Sequence, residues 1–203
     1  MLSYEGRDDA ANDDWFRFLE KASGVFFTGG NQLRLSTTIG GTRVTQLIRD
    51  RNRDEELHVA GTSAGASFLS EHMIAYGEDG GNPRADKVQL SPGMGLTQLA
   101  IIDQHFVQRD RLGRLLSALA YNPRLVGIGL DEDTAAFMDP DDRIEVVGSG
   151  AITVVDPSAM EFSSMDSVHR HAPVSVIGIH LHVLTEGATF DVRTRKAGPP
   201  PRR

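Results

Sequence analysis

The chain contains no cysteine among its 203 residues. This absence excludes disulfide bonds, thiolate metal ligands and a cysteine nucleophile together. The sequence also lacks any apolar run that approaches the ~20 residues of a membrane-spanning helix, and its polar, acidic start lacks the apolar core of a signal peptide. We therefore expect a cytoplasmic protein with no membrane partner.

Positive charge is scarce as well. Lys and Arg number 21 against 28 Asp and Glu, which gives a net charge of −7. Such a chain does not attract nucleic acid through its overall charge, whereas a small substrate or a basic polymer is compatible with it. The hydrophobic fraction of 39% is that of an ordinary globular protein. We predict one domain over residues 1–195 and a disordered, proline-rich basic tail over 196–203.

Short apolar runs alternate with amphipathic stretches as far as residue 134. Strands this short and this apolar are typical of a parallel sheet covered by helices on both faces. The pattern therefore predicts an α/β fold with a mostly parallel sheet and antiparallel strands towards the C-terminus. We predict helices around residues 11–19 (capped by Asn12 or Asp13), 42–50, 64–70 and 109–120; strands at 25–27, 57–60, 99–102, 126–130, 135–138, 144–147, 151–155 and 174–184; and a glycine-rich loop at 76–97.

The run GTSAG at 61–65 fits the G-x-S-x-G pattern, in which a nucleophilic serine occupies a tight turn between a strand and a helix. A short apolar strand precedes the run and a helix can follow it, as this motif requires. Small residues on both sides allow the strained turn without a Cβ clash. Ser63 is therefore the candidate nucleophile, and the alternative is an ordinary structural turn.

Polar clusters follow the predicted strands, where active sites of open α/β sheets form. His105 follows one strand and can act as the base, and Glu132 follows the next and can orient the imidazole. Backbone N–H groups of Ala64 and of the turn at Gly29 and Gly30 could stabilise an oxyanion. The alternatives are a packed or surface histidine and a solvated turn of three carboxylates.

Two H-x-H pairs, at 169–171 and 180–182, could in principle bind a metal ion. No H-E-x-x-H motif accompanies them, and a serine mechanism needs no metal, so we predict no metal site. The glycines do not fit G-x-G-x-x-G, which disfavours a dinucleotide site. We therefore predict no cofactor.

Four motifs occur in an order that resembles the cyanophycinases of the serine peptidase S51 family. They are GGNQLRL at 29–35, GTSAGA at 61–66, DQHFVQRDRLGR at 103–114 and GLDEDTA at 129–135. The likeness extends to residues near 195. It implies a fold similar to class I glutamine amidotransferases and a serine exopeptidase that cleaves cyanophycin, a poly-aspartate bearing arginine on each β-carboxyl, into β-Asp-Arg dipeptides.

The resemblance also implies roles for individual residues. Ser63, His105 and Glu132 would form the triad, with Gly30 and Ala64 at the oxyanion hole. The planar guanidinium of an arginine side chain can bind a substrate carboxylate, and an acidic side chain can bind a substrate guanidinium. The implied substrate-binding residues are Gln32, Asp103, Gln104, Arg109 and Arg114. From the sequence alone, the arginines could equally form a solvated helix face.

The sequence departs from the family at its start, because it lacks the family's opening portion. Without those strands we expect exposed apolar sheet edges, which favour pairing with another chain. A homodimer is the predicted assembly. Two other functions are open: an aspartyl dipeptidase of the same family, or an inactive remnant that only binds an Asp-containing peptide.

Overall fold

The computed structural model describes residues 1–54 and 57–202, and it has a mixed α/β architecture. The α-helices are α1 (Asp13–Glu20), α2 (Gln32–Ile39), α3 (Arg43–Asp54), α4 (Ala64–Phe68) and α5 (Leu112–Tyr121). The strands are β1 (Gly24–Phe27), β2 (His58–Gly61), β3 (His72–Gly77), β4 (Val88–Pro92), β5 (Ala100–Gln104), β6 (Val126–Leu130), β7 (Thr134–Met138), β8 (Arg143–Gly148), β9 (Ile152–Asp156), β10 (Phe162–Ser163), β11 (Val176–Ile177), β12 (His180–Leu184), β13 (Thr189–Asp191) and β14 (Lys196–Gly198).

The sheets are mixed, and this corrects the prediction of a mostly parallel sheet. Among the named strands that the structure describes, only β1 with β2 and β5 with β6 pair in parallel. The other strand pairs in the described ranges are antiparallel, including β9, which lies between β6 and β12 in the order β12-β9-β6-β5. For the strands after residue 134, including β9, this agrees with the predicted antiparallel strands towards the C-terminus. The correction concerns the earlier strands, where β1–β2 and β5–β6 form two separate parallel pairs and β3 pairs antiparallel with β4. An apolar run indicates burial on both faces but does not show which strand lies beside it.

The predicted loop at 76–97 is also corrected, since most of it belongs to the β3–β4 hairpin. The register of this hairpin shifts at a bulge between Ile74 and Tyr76. A bulge interrupts the alternation of apolar and polar residues that identifies a strand. In addition, the polar residues that connect β3 to β4 have the composition of a loop.

Two apolar layers enclose the central sheet. Ala100, Val126 and Ile128 project to one face, where they pack with residues of β8 and β13. The opposite face packs against α5, and Gly127 lies so close to this helix that a Cβ there would be 2.9 Å from Leu115 and Leu119. A third core joins the first three α-helices to the β1–β2 pair. The fold therefore has a C-terminal layered part and an N-terminal part, which meet where α4 and β3 contact β5.

An apolar strand edge is exposed at β1. Within the described residues β1 pairs only with β2, and Phe26 is 63% exposed. A groove of about 770 Å³ runs beside this strand as far as the turn at residues 28–31. Helix α1 begins where its sequence predicts, since Asn12 Oδ1 accepts hydrogen bonds from the N–H groups of Asp14 and Trp15 at 3.0 and 3.1 Å.

The segment predicted as a disordered tail begins with an ordered strand. Residues 196–198 pair with β13 as β14. Just before it, Arg195 donates to the buried carboxylate of Asp156 and to the Arg124 carbonyl. Although burial acts to raise the pKa of Asp156, hydrogen bonds from Ser158 and Arg195 together lower it. Composition suggested disorder because it does not reveal this long-range ion pair.

Candidate active site

Ser63 occupies a strained turn between β2 and α4. Its φ of 52° and ψ of −122° are rare for a residue with a side chain. The flanking glycines permit the turn, because a Cβ at Gly61 would be 2.5 Å from the Gly65 backbone and one at Gly65 would be 2.3 Å from the Phe27 carbonyl. The turn therefore raises the serine hydroxyl above the carboxyl end of β2.

His105 and Glu132 follow two neighbouring strands. The parallel register pairs Gln104 of β5 with Leu130 of β6, so the residues just beyond these strands lie side by side. His105 Nε2 is 3.1 Å from Ser63 Oγ, and His105 Nδ1 is 2.8 Å from Glu132 Oε1. The three side chains thus form a continuous hydrogen-bonded chain from a hydroxyl through an imidazole to a carboxylate.

The carboxylates on either side of Glu132 are engaged elsewhere. Asp131 accepts hydrogen bonds from the N–H groups of Val107 and Ala151 at 3.1 and 3.3 Å. Asp133 accepts from the Ser149 hydroxyl. Of the three consecutive acids, Glu132 is the one that contacts the imidazole.

The two segments predicted to supply the oxyanion hole, the start of α4 and the turn at Gly29 and Gly30, both reach Ser63. Ala64 follows Ser63 directly and begins α4. Gly29 is in contact with the serine, since a Cβ at this position would be 3.2 Å from Ser63 Cβ. Gly30 has a φ of 131°, a conformation that glycine adopts readily. Both segments therefore bring backbone N–H groups into the neighbourhood of Ser63, as an oxyanion hole requires.

The predicted substrate-binding residues fall into two groups. Arg109 is exposed, and within the part of the chain that the structure describes its guanidinium makes no hydrogen bond or ion pair. Gln104 is buried, and no partner for its Oε1 atom exists among the described residues. A buried acceptor without a partner is costly unless a ligand supplies a donor.

The other three residues are bound within the protein. Gln32 donates through Nε2 to the carbonyls of Ile74 and Ala75 at the β3 bulge, at 2.9 and 3.2 Å. Asp103 is 1% exposed and accepts from Arg114 Nε at 2.6 Å, with a second bond from Arg114 Nη2. These polar groups are therefore used in hydrogen bonds within the protein.

Arg111 and Asp79 interact with Asp103 and Arg114, although neither was a predicted site residue. Arg111 Nε donates to Asp79 Oδ1 at 3.2 Å. The run of charged residues at 109–114 does not show which of its arginines is buried. The reason is that the run begins in a 3-10 turn and continues into α5. A helical periodicity alone therefore misplaces these side chains.

Neither a metal cluster nor a membrane helix occurs in the described ranges. No group of three or more metal-binding side chains is placed to hold an ion. Among the helices described, none combines the length and the apolar character needed to cross a bilayer.

Comparison with known proteins identifies the family. The family model described as Peptidase family S51 matches residues 8–146. A cyanophycinase of Trichormus variabilis is 43% identical over 199 residues, which cover 98% of this chain and 67% of that protein. Cyanophycinases of Geminocystis herdmanii and Synechococcus elongatus are 38% and 36% identical over 196 residues, which cover 97% of this chain and 72% and 61% of theirs. The chain belongs to peptidase family S51.

A solved structure supports the fold. The crystal structure of a peptidase from an acI-B1 Actinobacterium superposes with a TM-score of 0.62 and 23% sequence identity, over 93% of this chain and 67% of that one. The predicted resemblance to S51 peptidases is confirmed by the family model and the cyanophycinase relatives.

Proposed function

We propose that this chain is a serine exopeptidase that hydrolyses cyanophycin to β-Asp-Arg dipeptides. The observation that carries the proposal is the hydrogen-bonded chain of Ser63, His105 and Glu132 in a protein up to 43% identical to cyanophycinases. A hydroxyl within 3.1 Å of an imidazole nitrogen, whose other nitrogen contacts a carboxylate, is the arrangement that activates serine.

In the proposed reaction, Ser63 Oγ forms a bond to the scissile carbonyl carbon while His105 Nε2 takes the hydroxyl proton. Glu132 holds the imidazole tautomer and stabilises its positive charge. Backbone N–H groups of Gly30 and Ala64 receive the oxyanion. The C–N bond then breaks as His105 returns the proton to the leaving amine, and a water molecule activated by the same imidazole hydrolyses the acyl-enzyme.

Substrate binding in this proposal uses the two unpartnered groups. Arg109 would bind a substrate carboxylate with its planar fork, and Gln104 Oε1 would accept a substrate N–H. Gln32, Asp103 and Arg114 would shape the pocket through their internal hydrogen bonds. The buried position of Arg114 supports this division, because little of its guanidinium is left to meet a ligand.

The setting of the reaction is proposed as well. We place the enzyme in the cytoplasm, and we propose a homodimer because apolar side chains are exposed along the edge strand β12. We also propose that the whole fold is similar to that of class I glutamine amidotransferases. This proposal is supported by the strand, serine and helix arrangement around Ser63.

The test is incubation of the purified chain with cyanophycin, followed by mass spectrometry of the released dipeptide. We expect Ser63→Ala to lower the rate by roughly four orders of magnitude or more, because the nucleophile is lost. Ser167→Ala, at an exposed serine outside the site, is the matched control and should leave the rate unchanged.

Other outcomes contradict the proposal. Equal activity in Ser63→Ala and the unaltered chain would exclude the serine mechanism. Hydrolysis of Asp-X dipeptides with the polymer intact would identify an aspartyl dipeptidase. Saturable binding of cyanophycin fragments without any turnover would identify a binding remnant.

A further inference from the structure

We propose that Arg111 is a positioning residue for the His105 imidazole. It belongs to a charge cluster, which we define as the buried Asp103, Arg111 and Arg114 together with the half-exposed Asp79. This inference rests on the proposed function only in taking His105 as the catalytic base. Its structural part concerns the backbone that carries His105.

Arg111 is hydrogen-bonded on both sides of His105. Its Nη1 atom donates to the carbonyl of Gln104, the residue before the histidine, at 2.5 Å. Its main-chain N–H donates to the carbonyl of Phe106, the residue after it, at 3.1 Å. Arg111 therefore holds the peptide unit that leads into His105 and the peptide unit that follows Phe106, one residue further on.

The histidine backbone requires such support. His105 has a φ of 49°, in the left-handed region that is unfavourable for a residue with a side chain. Strained residues of this kind persist where surrounding contacts over-determine them. The Phe106 N–H also donates to the Leu130 carbonyl at 3.0 Å, so the turn is tied to the strand that leads to Glu132.

The charge cluster holds Arg111 in turn. Arg111 Nη1 is 3.5 Å from Asp103 Oδ1, and its Nε is 3.2 Å from Asp79 Oδ1. The two guanidinium groups face the buried carboxylate of Asp103 and the half-exposed carboxylate of Asp79, so the charges of the cluster balance. Burial, and after it the charge of Arg114, lower the pKa of Arg111.

The geometry calls for a guanidinium in particular. Arg111 makes three contacts in different directions, with Asp79, Asp103 and the Gln104 carbonyl, and a planar fork with fixed donors can serve all three. A lysine ammonium is a single point of charge on a flexible stem and cannot keep the same directions. The Arg111 side chain is 6% exposed, which leaves little of it to contact a substrate.

The decisive variant is Arg111→Lys, with Arg170→Lys at an exposed surface ion pair as the matched control. We expect Arg111→Lys to lower kcat by about 10- to 100-fold, because small displacements of a catalytic group have effects of this size. We expect KM to change less than about threefold, since substrate contacts remain. The downfield imidazole proton between His105 and Glu132, observed by NMR, should weaken or shift, whereas Arg170→Lys should match the unaltered chain.

Asp79→Asn covers the case in which Arg111→Lys does not fold. Asp79 is half exposed, so the fold should tolerate the change, while Arg111 loses one of its charged partners. We expect a smaller loss of kcat in the same direction, with the same NMR signal affected. An unchanged signal and an unchanged kcat in the folded variant would overturn the proposal.

Failure of the function and failure of the inference are distinguishable. A raised KM with unchanged kcat and unchanged imidazole signal in Arg111→Lys would make it a substrate-binding residue and overturn the inference. If the unaltered chain does not cleave cyanophycin but the imidazole signal responds to Arg111→Lys, then the proposed function fails and the positioning role stands.

Discussion

Glu132 lies between two other carboxylates, and hydrogen bonds give the three residues different roles. Asp131 holds the turn that follows His105, and Asp133 binds the Ser149 hydroxyl. Only the Glu132 carboxylate, among these three, contacts the imidazole, at 2.8 Å. Removing its charge should therefore affect the base directly.

Glu132→Gln should lower kcat by roughly 10²- to 10⁴-fold, because the amide cannot stabilise the imidazolium and can impose the wrong tautomer. Steady-state kinetics on cyanophycin measures this effect. Asp133→Asn is the control and should retain most of the activity. A larger loss in Asp133→Asn than in Glu132→Gln would reverse the assignment of the two acids.

Sequence reasoning finds residues whose neighbours in the chain carry the signal. Ser63 is recognisable because the turn demands small residues on both sides, and His105 because a polar run follows a buried strand. Arg111 and Asp79 are 32 residues apart in sequence, and their contact depends on how the β3–β4 hairpin meets α5. No local pattern encodes that contact.

At the scale of elements, the β2–α4 turn depends on close backbone approach. Gly65→Ala should lower the free energy of unfolding by about 1–3 kcal/mol or more, because the new Cβ would meet the Phe27 carbonyl at 2.3 Å. Urea denaturation measures the change. Gly6→Ala is the control, since no atom lies within 4 Å of a Cβ there. Equal stability of the two variants would show that the turn relaxes freely.

The strands themselves were more predictable than their partners. The run 126–130 forms β6 as predicted, because five apolar or glycine residues suit a strand buried on both faces. The apolar runs did not show that the parallel strands form two separate pairs, and the β3–β4 hairpin contains a bulge. Which strands pair is a property of the connections, which apolar patterns do not record.

At the scale of the whole molecule, the edge strand β12 presents an apolar surface. Leu181 and Val183 are 52% and 63% exposed, and Phe162 and Ile177 are exposed nearby. A second copy can cover these side chains and pair with the free edge. The proposed homodimer would therefore form along β12.

Val183→Lys should shift the chain from dimer to monomer in sedimentation velocity runs at matched concentrations, because a buried lysine at the interface is unfavourable. Ser167→Lys adds the same charge at an exposed polar position and should leave the dimer intact. A monomeric unaltered chain would contradict the proposed homodimer, and a Val183→Lys dimer would place the interface on another face.

The three members of the proposed triad come from different parts of the architecture. His105 and Glu132 follow neighbouring strands of one sheet, so their spacing is built into that sheet. Ser63 follows β2, which pairs with β1 in the N-terminal part. The contact between Ser63 and His105 is thus a joint between two halves with separate cores. The packing of the two halves against each other therefore sets the distance between Ser63 Oγ and His105 Nε2. A change that weakens this packing would leave His105 oriented by Glu132 but would move Ser63 out of hydrogen-bonding distance.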